Sequence, residues 1–184
     1  MTKLILDPTT RNNLPENIPM PFFGFGGKLV LTLYWWGYKL FSFRGGHSYE
    51  ETIKELNTPL RVQAWLYANI KYTKDKSPED EWQTAERTFM RRKGDCEDWA
   101  VFANECLRHK YNSYFLCMYT KDKGHATYII ITNKLKFKTT SIGTYGYMTH
   151  KGVWEKIIPD WFGFGNFNSY RVLDEELNKV KDVY

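Results

Sequence analysis

From Thr58 onward the spacing of apolar residues changes once, close to His109, and this change constrains the fold more than any other feature. Before it, apolar residues recur every three or four positions, which is typical of helices that bury one face; examples are Val62, Trp65, Leu66 and Ile70. After it, short runs with a period of two alternate with turn residues, namely YFLCMY, HATYIIIT, KLKFKTTSI and TYGYMTH. Helices followed by an antiparallel sheet predict an α+β fold.

Capping residues indicate where the helices begin. Thr58 and Ser77 each stand directly before a proline, and each therefore predicts a helix start. Asp95 follows a glycine and predicts the start of a further helix, whose buried stripe is formed by Ala100, Ala103 and Leu107. The charged segment Leu173–Val183 is expected to form a terminal helix.

Length and composition predict two parts to the chain. The 184 residues and the aromatic content of 17% favour one packed domain, which we place at residues 48–184. Residues 1–47 are expected to pack on this domain as an extended arm, because four prolines between residues 8 and 21 exclude regular structure there. Residues 28–43 alternate with period two and predict a strand or hairpin, with an amphipathic helix as the alternative.

Charge and cysteine content restrict the partners and the compartment. The net charge of +5 comes without a dense basic block, so no specific nucleic-acid partner is expected. Without a signal-peptide pattern or an apolar run long enough to span a membrane, we predict a cytoplasmic protein. Three cysteines without a CxxC pair indicate reduced thiols. Both FGFG segments lack a third glycine, and Cys106 with His109 lacks a second ligand pair, so we expect neither cofactor nor metal.

Cys96 is the candidate nucleophile. Its setting, RRKGDCEDWA, places the thiol in the first turn of the predicted helix, where backbone N–H groups and the helix dipole favour an anion. Nearby arginine and lysine side chains would lower the thiol pKa as well. Asp95 and Glu97 would raise it if they faced the sulfur, whereas capping by Asp95 would turn that carboxylate toward the backbone. We expect a lowered pKa, and we expect Cys106 and Cys117 to be packing residues.

His125 is the candidate base among four histidines. It opens the strand HATYIIIT, where a helix terminus packed against the strand would bring it to Cys96. His109 lies too far along the Cys96 helix to reach the thiol, His47 lies in a loop and His150 ends a strand. Trp82 and Gln83 are expected either to line the cleft and assist an oxyanion hole or, for Trp82, to pack in the core.

The motif GDCEDWA, followed 29 residues after the cysteine by GHATYII, resembles the transglutaminase-like superfamily, and most closely its small bacterial and phage cysteine peptidases. The similarity covers roughly residues 50–150 and includes DEWQTAERTFMRR before the cysteine. It implies a papain-like fold with a Cys-His-Asp triad formed by Cys96, His125 and an aspartate about fifteen residues later.

The chain departs from that pattern at the third position. Residues 123–154 contain neither Asp nor Glu, and Thr140 stands where the aspartate is expected. A hydroxyl can orient an imidazole but cannot stabilise an imidazolium as a carboxylate does. Asn133 and Ser141 are the alternatives for this position.

Two functions are consistent with these residues and their spacing. The first is a thiol-dependent hydrolase or acyl transferase that cleaves amide bonds of a peptide or protein substrate, that is, a cysteine peptidase or amidase with an atypical third triad member. The second is a transglutaminase-like module with weakened or lost activity that serves as a binding or structural protein, for example in a phage particle, and would then be virion-associated. The missing acid is the feature that separates them.

Overall fold

The chain is described by a computed structural model over residues 47–74, 82–120, 124–133, 138–143, 148–151 and 169–183. The predicted arm and hairpin within residues 1–46, both FGFG segments and the helix start predicted at Ser77 lie outside these residues. Side chains of the strand residues 131–133, 138–141 and 148–151 are likewise outside the description.

Four helices occur in the described part of the chain, and each begins after a capping residue. They are α1 (Tyr49–Glu55), α2 (Pro59–Asn69), α3 (Ala85–Arg91) and α4 (Cys96–Leu107). The residues at their N-caps are Ser48, Thr58, Thr84 and Asp95, respectively. The starts predicted at Thr58 and Asp95 are therefore confirmed. Asp95 takes part in a capping box, whereas Thr58 makes no side-chain cap hydrogen bond and its helix begins with Pro59 at the first position.

The strands form two sheets of very different size. Two short parallel strands, β1 (Lys71–Tyr72) and β2 (Lys93–Gly94), pair between the helices. The large sheet is antiparallel and has the order β6-β5-β4-β3-β7-β8. Its strands are β3 (Asn112–Tyr119), β4 (Gly124–Asn133), β5 (Lys138–Ile142), β6 (Met148–Lys151), β7 (Ser169–Leu173) and β8 (Lys179–Val183). Mixed helices and strands, with helices preceding an antiparallel sheet, confirm the α+β prediction.

The core lies between α4 and one face of the large sheet. The stripe predicted on α4 is fully buried, and it packs with alternate residues of β3 and β4, namely Phe115, Cys117, Ala126, Tyr128 and Ile130. Trp65 of α2 stacks on Phe102 of α4 with ring centroids 4.6 Å apart and on Phe89 of α3 at 5.8 Å. Burial of these large rings fixes α4 against the sheet and thereby fixes the position of its first residue.

The two arginines that precede the Cys96 helix are bound to other side chains. Arg92 is the C-cap of α3 and adopts a left-handed conformation with a φ of 53°. The Arg92 guanidinium lies 4.1 Å from the ring centroid of Phe89 and 5.1 Å from that of Trp65. Arg91 donates a hydrogen bond to Gln83 at 2.9 Å. The sequence predicted that nearby cations would lower the thiol pKa. Two of them, Arg91 and Arg92, instead contact Gln83 and two aromatic rings.

The predicted terminal helix at Leu173–Val183 is wrong. The segment instead leaves β7, turns at residues 174–178 and returns as β8. The Asp174 carboxylate accepts hydrogen bonds from the backbone N–H groups of Glu176 and Asn178, which stabilises a turn rather than a helix. Arg171 and Asp182 then form a cross-strand ion pair at 2.7 Å. Pairing with β7 therefore overrides the helical preference of the charged residues.

The described helices are all too short or too polar to cross a membrane. This statement covers the described residues alone.

Candidate active site

The first residue of α4 is Cys96, as the sequence predicted. Asp95 and Asp98 form a capping box at this helix start, and the Asp98 carboxylate accepts the Asp95 N–H at 3.2 Å. Such a box satisfies N–H groups that a helix leaves without partners in its first turn. The thiol is therefore held in a fixed position at the N-terminal end of a 12-residue helix.

Asp98 also ties the helix start to the segment before α3. Its carboxylate accepts the backbone N–H of Gln83 at 2.8 Å and, in a short hydrogen bond, the Gln83 side-chain amide. Asp98 is 1% exposed, so these donors replace water around the charge. Because the Gln83 amide is bound to Asp98 and its carbonyl to Arg91, we assign Gln83 a structural role. Sequence reasoning missed Asp98, although the Asp95-x-x-Asp98 spacing is a capping-box signal.

Gly94 permits this close packing. A Cβ atom at position 94 would lie 2.7 Å from the Asp98 Cβ and 2.8 Å from an Asp98 carboxylate oxygen. The Gly94 carbonyl also accepts the Thr73 N–H at 3.0 Å, next to the β1–β2 pair. A glycine directly before the capping residue is thus required by the space that Asp98 occupies.

The sulfur of Cys96 lies against the start of β4. The Ala126 N–H donates a hydrogen bond to Sγ at 3.4 Å, and Cys96 is 6% exposed. Since the Ala126 nitrogen is bonded to the carbonyl carbon of His125, standard bond lengths place Sγ within about 6 Å of the His125 Cα. The structure therefore brings the two predicted residues to adjacent positions.

His125 is the second residue of β4 and is 2% exposed. It pairs with Met118, whereas Ala126 pairs with Cys117, which belongs to the core beneath α4. Because successive side chains leave a strand on opposite faces, the imidazole leaves β4 on the face opposite Ala126. Contact between the imidazole and the thiol stays a prediction. Burial lowers the pKa of His125 to about 3, so the ring is neutral near pH 7.

The prediction of a lowered pKa for Cys96 is not met. Burial raises the pKa of this thiol well above its ordinary value, and Glu97 and Asp95 raise it further. The Cys96 thiol donates a hydrogen bond to Glu97 Oε2 at 3.1 Å. Asp95 does cap the helix as expected, but Glu97 faces the sulfur. Burial and the two carboxyls together raise the pKa of the thiol more than the Ala126 N–H lowers it. At rest the sulfur is a neutral thiol.

The sequence left open whether the Glu97 side chain faces the Cys96 sulfur, and the structure shows that it does. It is 4% exposed, and burial together with the adjacent Asp95 carboxyl raises its pKa well above the ordinary value. The Glu97 carboxyl is hydrogen bonded both to Asp95 and to Cys96. An acid directly after the cysteine, on a helix whose first turn is buried, is the sequence signal for this contact.

The remaining cysteines and Trp82 pack in or against the core. Cys117 is buried in the core and Cys106 is half-buried against it, and burial raises the pKa of both thiols. Trp82 packs edge-on against Phe115, with ring centroids 5.7 Å apart. Among the described residues, no three His, Cys, Asp or Glu side chains are placed to hold a metal ion.

Strand register separates Thr140 from His125. Thr140 pairs with Ile130, five residues along β4 from His125, which corresponds to roughly 16 Å at 3.3 Å per residue. Threonine and histidine side chains cannot bridge that distance, so the register does not support Thr140 as the third member of the site. The described pairing of β4 with β5 starts at Tyr128 and Ile142 and does not include His125.

Comparison with known families supports the resemblance seen in the motif. Residues 49–139, just under half of the chain, match the family model of a transglutaminase-like domain. The matched segment contains Cys96 and His125 and ends one residue before Thr140. Searches of curated proteins and of solved structures found no match.

Proposed function

We propose, with residues 49–139 taken as a transglutaminase-like domain, that the protein is a thiol-dependent hydrolase or acyl transferase that acts on amide bonds of a peptide or protein. Cys96 is the nucleophile and His125 is the base in this proposal. The single observation that supports it most is the hydrogen bond from the Ala126 N–H to Cys96 Sγ at 3.4 Å, because it places the thiol, at a helix N-terminus, within about 6 Å of the His125 Cα.

The chemistry follows from these positions. The Cys96 S–H bond breaks and its proton passes to a base, the sulfur attacks the amide carbonyl, a C–S bond forms, and the π electrons move to the oxygen. The Cys96 backbone N–H, in the first turn of α4, supplies a donor for that oxyanion. The Trp82 indole N–H is buried without an acceptor among the described residues and is our second candidate donor. When the C–N bond breaks, the amine leaves with a proton, and the thioester passes its acyl group to water or to another amine.

A second function is favoured by the state of the thiol. Burial, Glu97 and Asp95 hold Cys96 as a neutral thiol, and residues 123–154 contain no acid to stabilise an imidazolium. Both observations fit a module that keeps the transglutaminase-like fold for binding or assembly and has lost efficient turnover. A role within a phage particle belongs to this alternative.

Turnover of activated esters and of peptide amides tests the choice. We expect Cys96→Ala to reduce kcat/KM by about 10³-fold or more, since a nucleophile cannot be replaced. His125→Gln should reduce it by about 10²-fold or more, which is typical of a lost general base. Cys106→Ala, a change at a half-buried thiol near the other end of α4, is the matched control and should retain activity.

Two outcomes would count against the enzyme. Turnover by folded Cys96→Ala equal to that of the parent would remove the thiol from the chemistry. A folded parent protein that turns over none of these substrates would favour the binding module.

A further inference from the structure

The Cys96 thiol has two neighbours that could receive its proton, and burial affects them in opposite ways. Transfer to neutral His125 would create a thiolate and an imidazolium inside the protein, and a buried pair of new charges is costly. Transfer to a carboxylate moves one negative charge from oxygen to sulfur and creates no additional charge. A buried site therefore favours the carboxylate as the first acceptor.

The geometry provides such a carboxylate. Glu97 Oε2 lies 3.1 Å from Cys96 Sγ, on the same helical turn, and both residues are more than nine-tenths buried. The Glu97 carboxyl is in turn hydrogen bonded to the Asp95 carboxyl. Two buried carboxyls in contact cannot both ionise readily, so the pair holds one proton and one negative charge over a range of pH.

We propose that the Asp95–Glu97 carboxyl pair is a catalytic proton acceptor for Cys96, taking the thiol proton at Glu97 Oε2 while the shared proton stays with Asp95. The S–H bond breaks, an O–H bond forms on Glu97, and the electron pair of sulfur attacks the carbonyl carbon. The doubly protonated pair later gives a proton to the leaving amine. This inference rests on the proposed role of Cys96 as nucleophile. It makes Glu97 the first acceptor of the thiol proton and leaves His125 as the base for the water or amine that takes up the acyl group.

The thiolate formed in this way has partners at once. The Ala126 N–H points at Sγ, and the first turn of α4 contributes the positive end of the helix dipole. Burial raises the pKa of Glu97 well above that of an exposed carboxyl, which brings it nearer to that of a thiol and makes the transfer easier.

Other ionisable groups around the pair come from several elements. Asp98 lies on α4 itself and is bound to Gln83, through which Arg91 of α3 connects to the site. β4 contributes His125. β3 contributes Cys117, whose pKa is raised by burial and to a lesser extent by Glu97. Cys117 lies near further ionisable side chains of β3, β7 and β8, namely Tyr119, Arg171 and Asp182.

The pH dependence of Cys96 alkylation tests the proposal without a substrate. Proton exchange between the thiol and the pair leaves the total number of protons unchanged. With iodoacetamide as the probe, the rate at Cys96 should therefore vary less than about twofold from about pH 6 to about pH 8, whereas an ordinary thiol rises about tenfold per pH unit there. In Glu97→Gln the rate should follow the ordinary thiol and fall below that of the parent near pH 6.

Controls separate the proposed transfer from structural effects. Glu105→Gln changes an acid on the same helix that pairs with Arg108 at 3.3 Å, and it should keep the flat profile. Cys117 is a buried thiol on β3 that reacts only when the core opens, so its alkylation rate measures that opening. Cys96 should be alkylated faster than Cys117. The rates at each cysteine are read by peptide mass spectrometry.

Three results would overturn the proposal. The first is an alkylation rate at Cys96 of the parent that rises about tenfold per pH unit. The second is a rate at Cys96 no faster than the rate at Cys117. The third is a faster reaction of Cys96 in Glu97→Gln than in the parent, with the same dependence on pH. The last result would mean that Glu97 only suppresses the thiolate. The parent profile decides the question even if Glu97→Gln does not fold. A flat profile without turnover of esters or amides would support the proton transfer and count against the enzymatic function.

Discussion

Acidification from pH 7 to pH 4 is expected to remove about 3 kcal/mol of folding stability through His125 alone. The imidazole is buried on β4, and burial lowers its pKa to about 3 from an ordinary 6.5. Below pH 6.5 the unfolded chain takes up the proton, but the folded protein does so only near pH 3. Each pH unit in that window favours the unfolded state by about 1.4 kcal/mol. This contribution to stability is complete above pH 6.5 and is lost as the pH falls.

Urea unfolding at a series of pH values measures this effect. In His125→Gln, which cannot take up a proton, the loss of stability between pH 7 and pH 4 should be smaller than in the parent by about 3 kcal/mol. His109→Gln changes an exposed histidine just beyond α4 and should leave the pH dependence as it is. An identical pH dependence in His125→Gln and the parent would mean that His125 is already accessible to protons in the folded state.

Glu97 contributes with the opposite sign. Burial raises the pKa of Glu97, so the Asp95–Glu97 pair keeps one shared proton that both carboxyls have released in the unfolded state, and stability is lost as the pH rises above the ordinary carboxyl range. The net pH profile of the parent contains both effects. For that reason the difference between His125→Gln and the parent at each pH is the quantity to compare.

Replacement of Asp98 by alanine is expected to destabilise the fold by about 3–5 kcal/mol. The change removes a buried carboxylate that accepts the Asp95 N–H, the Gln83 N–H and the Gln83 side-chain amide. Each buried donor left without an acceptor costs about 1–3 kcal/mol, and the helix start also loses its cap. Asp98→Asn keeps the volume and one acceptor oxygen, so its effect should be smaller.

The matched control for Asp98 is Glu105, which lies on the same helix and forms a partly exposed ion pair with Arg108. Glu105→Ala should change the free energy of unfolding by less than about 1 kcal/mol. Urea denaturation of the three variants at pH 7 gives the comparison. A loss in Asp98→Ala no larger than that in Glu105→Ala would contradict the proposed role of Asp98 in fixing the Cys96 helix.

Local signals explain what could be predicted from the sequence. The start of α4 follows from Asp95, and its buried stripe follows from the spacing of apolar residues, because both depend on neighbours within the same helix. The strands β3 and β4 follow from their apolar runs in the same way. Cys96 and His125 were selected from their places at a helix start and a strand start, and their resemblance to a family motif supports the pairing.

Tertiary contacts explain what could not be predicted. Fifteen residues separate His125 from Thr140, but the residue opposite His125 depends on where the β4–β5 connection turns and on the register shift between Ile131 and Asn133. The pKa of Cys96 depends on the burial of its sulfur and on the direction of the Glu97 side chain. Neither property is set by residue spacing alone. Hairpin pairing with β7 determined β8, where charged residues had suggested a helix.

Mass spectrometry of an acyl-enzyme tests the central claim, that Cys96 is a nucleophile, most directly. The folded protein is exposed briefly to a p-nitrophenyl ester, quenched in acid and mapped by peptide. We predict one acyl group on Cys96, which disappears on standing in water and is absent in Cys96→Ala. An acyl group found only on Cys106 or Cys117, or none on a folded protein, would contradict the assignment of Cys96 as the nucleophile.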